Sequence, residues 1–312
     1  MVMDRTLTPA QQRHRREEHA LLGMGAAAAG LGLGALAVYQ GSAARLRKLA
    51  ATRTWVANDS TLSALLTIPG AETAIQKRFN QAGAIVALTQ QPVTPALELS
   101  PAAQVAIIYR DEQALAAAVQ GGTLNRAVTT IIYDYEHWSY TPLDQQQNSA
   151  AYVEAAAAVC HAANLKLVAA PSPNIVQALG QPAGVGVYSA FLALGLAGAA
   201  ARYADAVVAQ AQNLEGDPAT YGAWTRAFAR QAKVANPYCK VWVTLSGAPN
   251  GTPLPSETLY GLMLSVADAV DGYWLYVPLR AEQPPSATSA VSAAQAAQEQ
   301  SEFNIIGLLQ SV

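Results

Sequence analysis

The sequence predicts an α/β fold, a single (β/α)8 TIM-like barrel over residues 49–312 with one degenerate βα unit, preceded by an N-terminal apolar segment. Short runs rich in β-branched and aromatic residues alternate with longer Ala-rich runs, the pattern of βα units around a parallel sheet. Eight such strands are present, and eight parallel strands close a barrel. An open doubly wound sheet would use most of the same segments. However, no G-x-G-x-x-G phosphate loop follows any strand, which favours the barrel.

The predicted strands are short apolar runs in which Val, Ile, Thr and aromatic residues predominate. The first and the last have the weakest patterns. In chain order the strands are TWVAN near Trp55, Ala84–Thr89, Gln104–Tyr109, Thr129–Glu136, Leu165–Ala170, Asp205–Gln212, Lys240–Ser246 and Gly272–Val277.

Segments of helical character lie between these strands. Asp217 followed by Pro218 indicates a helix start, with a capping side chain before a proline at the first helical position. The second and third strands are joined by QQPVTPALELSPAA, whose three prolines predict a loop where a helix is expected. The predicted helices cover about 70–82, 112–120, 148–163, 187–203, 217–235, 255–269 and 287–310.

Composition narrows the classes of partner. Charged residues make up 13% of the chain, about half of the roughly 25% that is usual, and alanine supplies much of the apolar excess, which indicates close-packed helices. Residues 1–48 contain seven Lys/Arg and three Asp/Glu, so the remainder of the chain is mildly acidic and has no basic stripe. This distribution argues against nucleic acid as a partner.

The residue types that bind metals or form disulfides are sparse. Cys160 and Cys239 are too few for a disulfide framework; one disulfide is possible, but two buried thiols are favoured. No H-E-x-x-H spacing is present, and His137 and His161 each stand alone, so we expect structural roles for them and neither a metal nor another cofactor. The absence of a G-x-S-x-G elbow argues against a serine hydrolase.

The N-terminal region, residues 1–48, reads as a basic n-region followed by a signal peptide or membrane anchor. Ala20–Tyr39 contains no charged residue, and this stretch is about as long as a helix that crosses a bilayer. Gly41-Ser42-Ala43 offers a cleavage site after it. We therefore expect an exported protein, extracellular or anchored at its N-terminus, that contacts the membrane only through this segment. The alternative is a buried Ala/Gly helix of the domain, as in an intracellular enzyme for a small metabolite.

The fourth strand ends in an unusual concentration of polar residues, YDYEHW. Because side chains alternate along a strand, Asp134 and Glu136 share one face, with Ile132 below them inside the barrel. Two neighbouring carboxylates in a partly apolar pocket raise one pKa, which keeps an acid protonated near neutrality. Glu136 is thus the candidate general acid and Asp134 its partner. Alternatively, both are hydrogen-bonded or salt-bridged to neighbouring strand ends and have no chemical role.

Other strand ends offer groups that bind sugars. Amides can hold hydroxyl groups, and an indole can stack on a sugar ring, which together would form a carbohydrate subsite. Trp274 could equally be a core residue facing the helices, and Trp138 could simply pack its loop. The candidate substrate-binding residues are Gln210, Gln212, Trp274, Tyr276, Trp138 and Asn174.

The D-x-E of YDYEHW resembles the end of the motif of chitinase-type enzymes, glycoside hydrolase family eighteen. In that family the final Glu is the general acid and the preceding Asp orients the acetamido group of the substrate, so the resemblance implies these roles for Glu136 and Asp134. The pattern departs at Ile132 and Thr129, where the family carries further aspartates. The sixth strand also offers two glutamines in place of a Tyr-Asp pair. The stretch from Tyr133 to about residue 172 is similar to uncharacterised exported proteins of actinobacteria, a likeness that implies no activity.

Two functions follow as hypotheses. The first is an exported glycoside-hydrolase-like barrel acting on a glycan; a conventional two-carboxylate mechanism then needs a second acid, for which Asp111, Glu112 and Glu215 are candidates. If none of these faces the pocket, substrate assistance or no catalysis remains. The second is a non-catalytic barrel that binds a glycan or a protein at the cell surface.

Overall fold

The computed structural model of the protein describes residues 44–89, 95–181, 183–184, 186–277 and 288–312. Within them, Leu46–Val312 belongs to one compact unit. Residues 1–43 of the predicted signal peptide or anchor, Ala20–Tyr39 included, lie outside the described residues, so export stays a prediction. Of the helices within the described ranges, none combines the length and the hydropathy that a bilayer-spanning segment requires.

Eight parallel strands form a closed barrel in chain order, which confirms the predicted fold class. The last strand pairs with the first, where Thr54 lies opposite Gly272 and Val56 opposite Trp274. Two strands have the predicted bounds, and the others differ at their ends. The strands are β1 Thr54–Asn58, β2 Ile85–Leu88, β3 Gln104–Tyr109, β4 Val128–Tyr135, β5 Lys166–Pro171, β6 Ala206–Ala209, β7 Lys240–Ser246 and β8 Gly272–Tyr276.

Helices cover the outside of this barrel. All seven predicted helices are present, although the one predicted at 187–203 is interrupted at Gly195, whose φ of 72° is not helical. The connection between β2 and β3 contains a single helical turn, in keeping with the degenerate βα unit. The α-helices with described bounds are Asp59–Leu65, Ala71–Phe79, Pro95–Glu98, Glu112–Gln120, Leu143–Gln147, Ser149–Ala162, Val187–Ala193, Leu196–Ala201, Pro218–Ala235, Ser256–Val266 and Thr288–Ser311.

Alternation along the strands separates two apolar cores. Side chains that point outward pack beneath the helices, and among them Tyr133 and Tyr273 are fully buried, as is Phe228 on the helix Pro218–Ala235 in the same core. Side chains that point inward fill the barrel, where two indoles lie among small residues. The inner core consists of Val56, Ile85, Ala87, Ala106, Ile132, Val168, Ala170, Ala206, Val208, Trp242 and Trp274, with Ile108 packed against it. Ile132 thus lies in the barrel interior, as predicted.

The remaining single-residue expectations concern cysteine and histidine. Cys160 and Cys239 are both free and buried, as expected. The imidazole of His161 contacts the Asp205 carboxylate at 2.9 Å on the surface, and that of His137 contacts the Gln146 side chain at 2.8 Å. Both histidines therefore make local structural contacts, consistent with their predicted roles. No group of His, Cys, Asp and Glu side chains in the described part of the chain is arranged to hold a metal ion.

Candidate active site

A cavity of about 900 Å³ opens at the carboxyl ends of the strands. This end of a βα barrel is where the loops after the strands build active sites. The floor of the cavity is apolar and includes Ile108, Ala170 and Val208 from the inner core. Its described wall carries the polar and aromatic residues Asn58, Thr89, Arg110, Asp134, Glu136, Trp138, Tyr140, Gln210, Gln212, Asn213, Thr244, Ser246, Asn250, Trp274 and Tyr276.

Asp134 and Glu136 both face this cavity. Asp134 lies in the last part of β4, and Glu136 is the first residue after the strand. The two tyrosines that alternate with them point the other way, into the outer core, where the Tyr133 hydroxyl donates to the Gln145 side-chain oxygen at 2.8 Å. The strand pleat therefore directs both carboxylates into the same space, as the sequence predicts.

Gln210, which follows β6, orients the Asp134 carboxylate. Its amide nitrogen lies 3.0 Å from Asp134 Oδ1 and 3.0 Å from the carbonyl oxygen of Ala170, and donates to both. Burial raises the pKa of Asp134, while the charge of Arg110 and the Gln210 hydrogen bond act in the opposite direction. Burial has the largest effect, so the pKa of this carboxyl is higher than usual.

Glu136 is a largely buried carboxyl group whose pKa is raised. Burial, together with the neighbouring charge of Asp134, raises its pKa to about 7; hydrogen bonds from Asn174 and Ser172 and the charge of Arg110 partly oppose this rise. The Asn174 amide donates to Glu136 Oε2 at 3.4 Å, and its side-chain oxygen accepts from the His137 backbone N–H at 2.9 Å. A carboxyl group with a pKa near 7 is partly protonated at neutral pH, as general-acid catalysis requires.

The structure brings together seven of the eight residues singled out from the sequence. Glu136, Asp134, Gln210, Gln212, Trp274, Tyr276 and Trp138 all line the cavity, whereas Asn174 contacts it only through Glu136. Trp274 belongs to the inner core and donates from its indole N–H to Asn58 Oδ1 at 3.1 Å, so the alternative of a helix-facing residue is wrong.

Gln212 lines the cavity from a turn and not from the strand that the sequence predicted. The prediction that it continues β6 in phase with Gln210 was wrong, because β6 ends at Ala209 and Gln212 begins a 3-10 turn. The Thr244 hydroxyl stabilises this turn: it accepts from the Ala211 N–H at 2.9 Å and donates to the Gln212 side-chain oxygen at 2.8 Å.

Arg110 and Asn58 are cavity residues that the sequence analysis did not select. Arg110 comes two residues after the inward-facing Ile108, so the alternation along β3 could have placed it at the cavity. Its guanidinium carbon lies 5.0 Å from the centre of the Trp138 ring and 5.3 Å from that of Tyr140. Asn58 ends β1, the strand with one of the weakest sequence patterns.

None of the three candidates for the second acid lines the cavity. Asp111 caps the helix Glu112–Gln120, accepting from the Gln113 N–H at 2.9 Å, and also accepts from the Gln145 amide. Glu112 is buried beside it. Glu215 is fully buried, and both of its carboxylate oxygens accept from the Ser246 backbone N–H, at 2.8 and 3.1 Å. These contacts indicate structural roles, which leaves the alternatives of substrate assistance or no catalysis.

Glu215 yields a prediction about stability. Its pKa is raised well above the ordinary 4.5, chiefly by burial. A folded-state pKa above the unfolded one means that the native state binds more protons, so this group makes stability fall as pH rises above about 4.5. Glu215→Gln keeps an acceptor for Ser246 but removes the titration. We expect the free energy of unfolding of the variant, relative to the wild type, to increase by about 1.4 kcal/mol per pH unit within that window.

Urea unfolding of both proteins between pH 4 and pH 8 measures this difference. A difference that does not change with pH would contradict the raised pKa of Glu215, whatever the absolute stability of the variant.

Comparison with solved structures finds two that are similar to this chain. The glycoside hydrolase domain of PgaB (BpsB) from Bordetella bronchiseptica is 9% identical, with a TM-score of 0.45, over 79% of this chain and 98% of that one. A sugar phosphate isomerase/epimerase from Parabacteroides distasonis is 7% identical, with a TM-score of 0.39, over 81% of this chain and 93% of that one. Likeness at this level of identity concerns the fold alone. No family model and no curated protein matches the chain.

Proposed function

We propose that the protein is a glycan hydrolase in which Glu136 is the general acid and Asp134 its partner. The observation that supports this most directly is the carboxylate pair at the end of β4, which opens into a cavity of about 900 Å³ with the pKa of Glu136 raised to about 7. Amides and aromatic rings around the pair, such as Gln212, Asn250 and Tyr276, suit the hydroxyl groups and the apolar faces of sugar rings.

The placement of the carboxylates favours substrate assistance. Asp134 in β4 and Glu136 directly after it are two residues apart, about 6.5–7 Å along the chain, so both approach the substrate from the same side. Conventional retaining and inverting hydrolases need a second carboxylate on the opposite side of the sugar. Among the described residues that line the cavity, Asp134 and Glu136 are the only acidic ones. A neighbouring acetamido group of the substrate can supply the missing nucleophile, with Asp134 orienting it and Glu136 protonating the leaving oxygen.

The experiment that tests this function is a turnover assay of the purified full chain. Oligosaccharides of β-linked N-acetylglucosamine are compared with their fully de-N-acetylated counterparts, and products are identified by mass spectrometry. Cleavage of only the N-acetylated series supports the substrate-assisted hydrolase. Cleavage of both series would reject substrate assistance, and binding without cleavage of either would favour the second candidate.

That second candidate is a non-catalytic barrel that binds a glycan or a protein. The observation in its favour is the position of Asp111, Glu112 and Glu215 outside the cavity, which leaves no acid opposite Glu136 among the described residues. It would use the same amides and rings to hold its ligand.

We further propose that residues 1–48 direct the barrel across a membrane, either as a cleaved signal peptide or as an anchor. Protease treatment of intact cells that express the full chain should degrade the barrel, because export would place it outside the membrane. N-terminal sequencing then separates the two forms, since cleavage after Ala43 leaves Ala44 as the first residue. Complete protection in intact cells, with degradation after lysis, would contradict export.

A further inference from the structure

The Arg110 guanidinium lies over two aromatic rings at the cavity and forms no ion pair within the described part of the chain. It is an exposed residue directly after β3, and its guanidinium lies over the rings of Trp138 and Tyr140, 5.0 and 5.3 Å from their centres. These rings are themselves in edge-to-face contact, with centres 5.3 Å apart, and the Trp138 indole N–H donates to the Thr141 hydroxyl at 2.8 Å. Stacking on two rings restricts the position of a guanidinium while its edge stays available.

The described residues leave the hydrogen-bonding capacity of this guanidinium unused. A guanidinium carries five N–H donors, yet Arg110 forms no hydrogen bond or ion pair with any described residue. The two carboxylates nearby are satisfied by amides, Asp134 by Gln210 and Glu136 by Asn174. Among the described residues, amides donate hydrogen bonds to the acids, while Arg110 acts on both acids through its charge and keeps donors that none of these residues uses.

The charge of the cavity allows an anion at this position. Of its described lining residues, Arg110 is the only Lys or Arg, and Asp134 and Glu136 are the only acids. When the acids share one proton, the charges of these three residues cancel. An anionic group next to the rings is then attracted to Arg110 without facing two full negative charges.

From this geometry we infer that the cavity takes an acidic glycan, whose carboxylate or sulfate group is bound by Arg110 while a sugar ring contacts Trp138 and Tyr140. The inference rests on the proposed function for the glycan, and adds its substrate class. Carboxylate and sulfate both match the planar fork of arginine, which can donate two parallel hydrogen bonds to either group. Tyr140 suits a sugar contact at the rim, because 62% of its surface is exposed.

The test compares matched charged and neutral ligands on the full chain. One pair is hyaluronan tetrasaccharide and its carboxyl-reduced form, and the other is 6-O-sulfated and unsulfated chitotetraose. Binding is measured by calorimetry in 50 mM and 500 mM NaCl. We expect the wild type to bind the charged member of at least one pair about tenfold more tightly in low salt, with the preference reduced in high salt by screening. The pair that shows it identifies the anionic group.

Two variants assign the preference to Arg110. In Arg110→Gln the ratio of charged to neutral affinity should fall to about one, whereas Arg110→Lys should keep part of it, because lysine keeps the charge and loses the fork. Thermal unfolding controls for the fold of both variants. Three results would each overturn the inference: equal or weaker binding of the charged members, a preference that survives Arg110→Gln, or no binding of either charged ligand at 10 mM.

The same ligands separate this inference from the proposed function. Preferential binding of a charged ligand without its cleavage, and without cleavage of any N-acetylated oligosaccharide, would reject the hydrolase and retain the acidic ligand. Cleavage of neutral chitotetraose with no preference for charge would retain the hydrolase and reject the acidic substrate.

Discussion

Glu136→Gln is expected to reduce the turnover number about 10²–10⁴-fold on any glycan that the wild type cleaves, with little change in ligand affinity. The amide has nearly the same shape as the carboxyl group and can still meet the Asn174 amide that lies 3.4 Å from Glu136 Oε2. It cannot supply a proton to a leaving oxygen. The loss should therefore appear in the turnover number, which is measured with saturating substrate, while calorimetry reports the affinity.

Glu154→Gln is the matched control for this substitution. Glu154 is exposed on the helix Ser149–Ala162 and is not among the residues that line the cavity, so the same chemical change there should leave turnover unaffected. A Glu136→Gln enzyme that retains more than a tenth of the wild-type turnover would contradict the assignment of the general acid.

The pH profile gives a second readout of the same residue. A general acid acts in its protonated form, and the pKa of Glu136 is raised to about 7 by burial and then by the charge of Asp134. Turnover should therefore fall as pH rises through about 7. Asp134→Asn removes the neighbouring charge, so it should lower the pKa of Glu136 and move this fall to lower pH. A fall that stays at the same pH in the variant would show that another group sets it.

Gly272→Ala is expected to lower the free energy of unfolding by about 1–3 kcal/mol. A Cβ atom at Gly272 would lie 2.7 Å from Cδ1 of the Trp242 indole and 2.8 Å from the backbone oxygen of Thr54. The indole belongs to the closely packed inner core and the oxygen to β1, so neither contact is relieved by rotating a flexible side chain.

Gly261→Ala is its control within the same part of the chain. Gly261 lies inside the helix Ser256–Val266, and a Cβ atom there has no neighbour within 4 Å. Alanine is the better helix former, so this variant should gain about 0.5–1 kcal/mol. Chemical denaturation of both variants at one pH measures the two effects. A Gly272→Ala protein as stable as Gly261→Ala would contradict the packing of Trp242 against the Gly272 backbone.

Most of the fold could be predicted from local patterns. The runs Gln104–Tyr109 and Lys240–Ser246 coincide with β3 and β7 because apolar β-branched residues bounded by polar ones mark a buried strand. One error lies where a tertiary contact overrides the pattern, and another where two elements follow each other directly. Gln212 continues the polar alternation of β6, yet the Thr244 hydroxyl on β7 stabilises a turn there. The helix Asp59–Leu65 was missed because it directly follows β1, with no connecting residues to separate the two patterns.

The candidate site also has features that follow from neighbouring residues and features that depend on tertiary contacts. That Asp134 and Glu136 face one space follows from the pleat of β4, a property of consecutive residues. The position of Glu215 outside the cavity does not follow from neighbouring residues. It depends on the Ser246 N–H, 31 residues further along the chain, which donates to both carboxylate oxygens of Glu215. Sequence position alone left Glu215 among the candidate acids.

Local sequence patterns determined some features of this protein, and tertiary contacts determined others. Periodicity, alternation and turn residues act over a few positions, and these were sufficient for eight strands, the inward face at the end of β4 and the carboxylate pair. Closure of the barrel decided which distant side chains meet: Gln210 with Asp134, Trp138 and Tyr140 with Arg110, and Trp242 with the backbone at Gly272. These contacts depend on the register between strands, because shifting a strand by one residue moves its side chains to the opposite face.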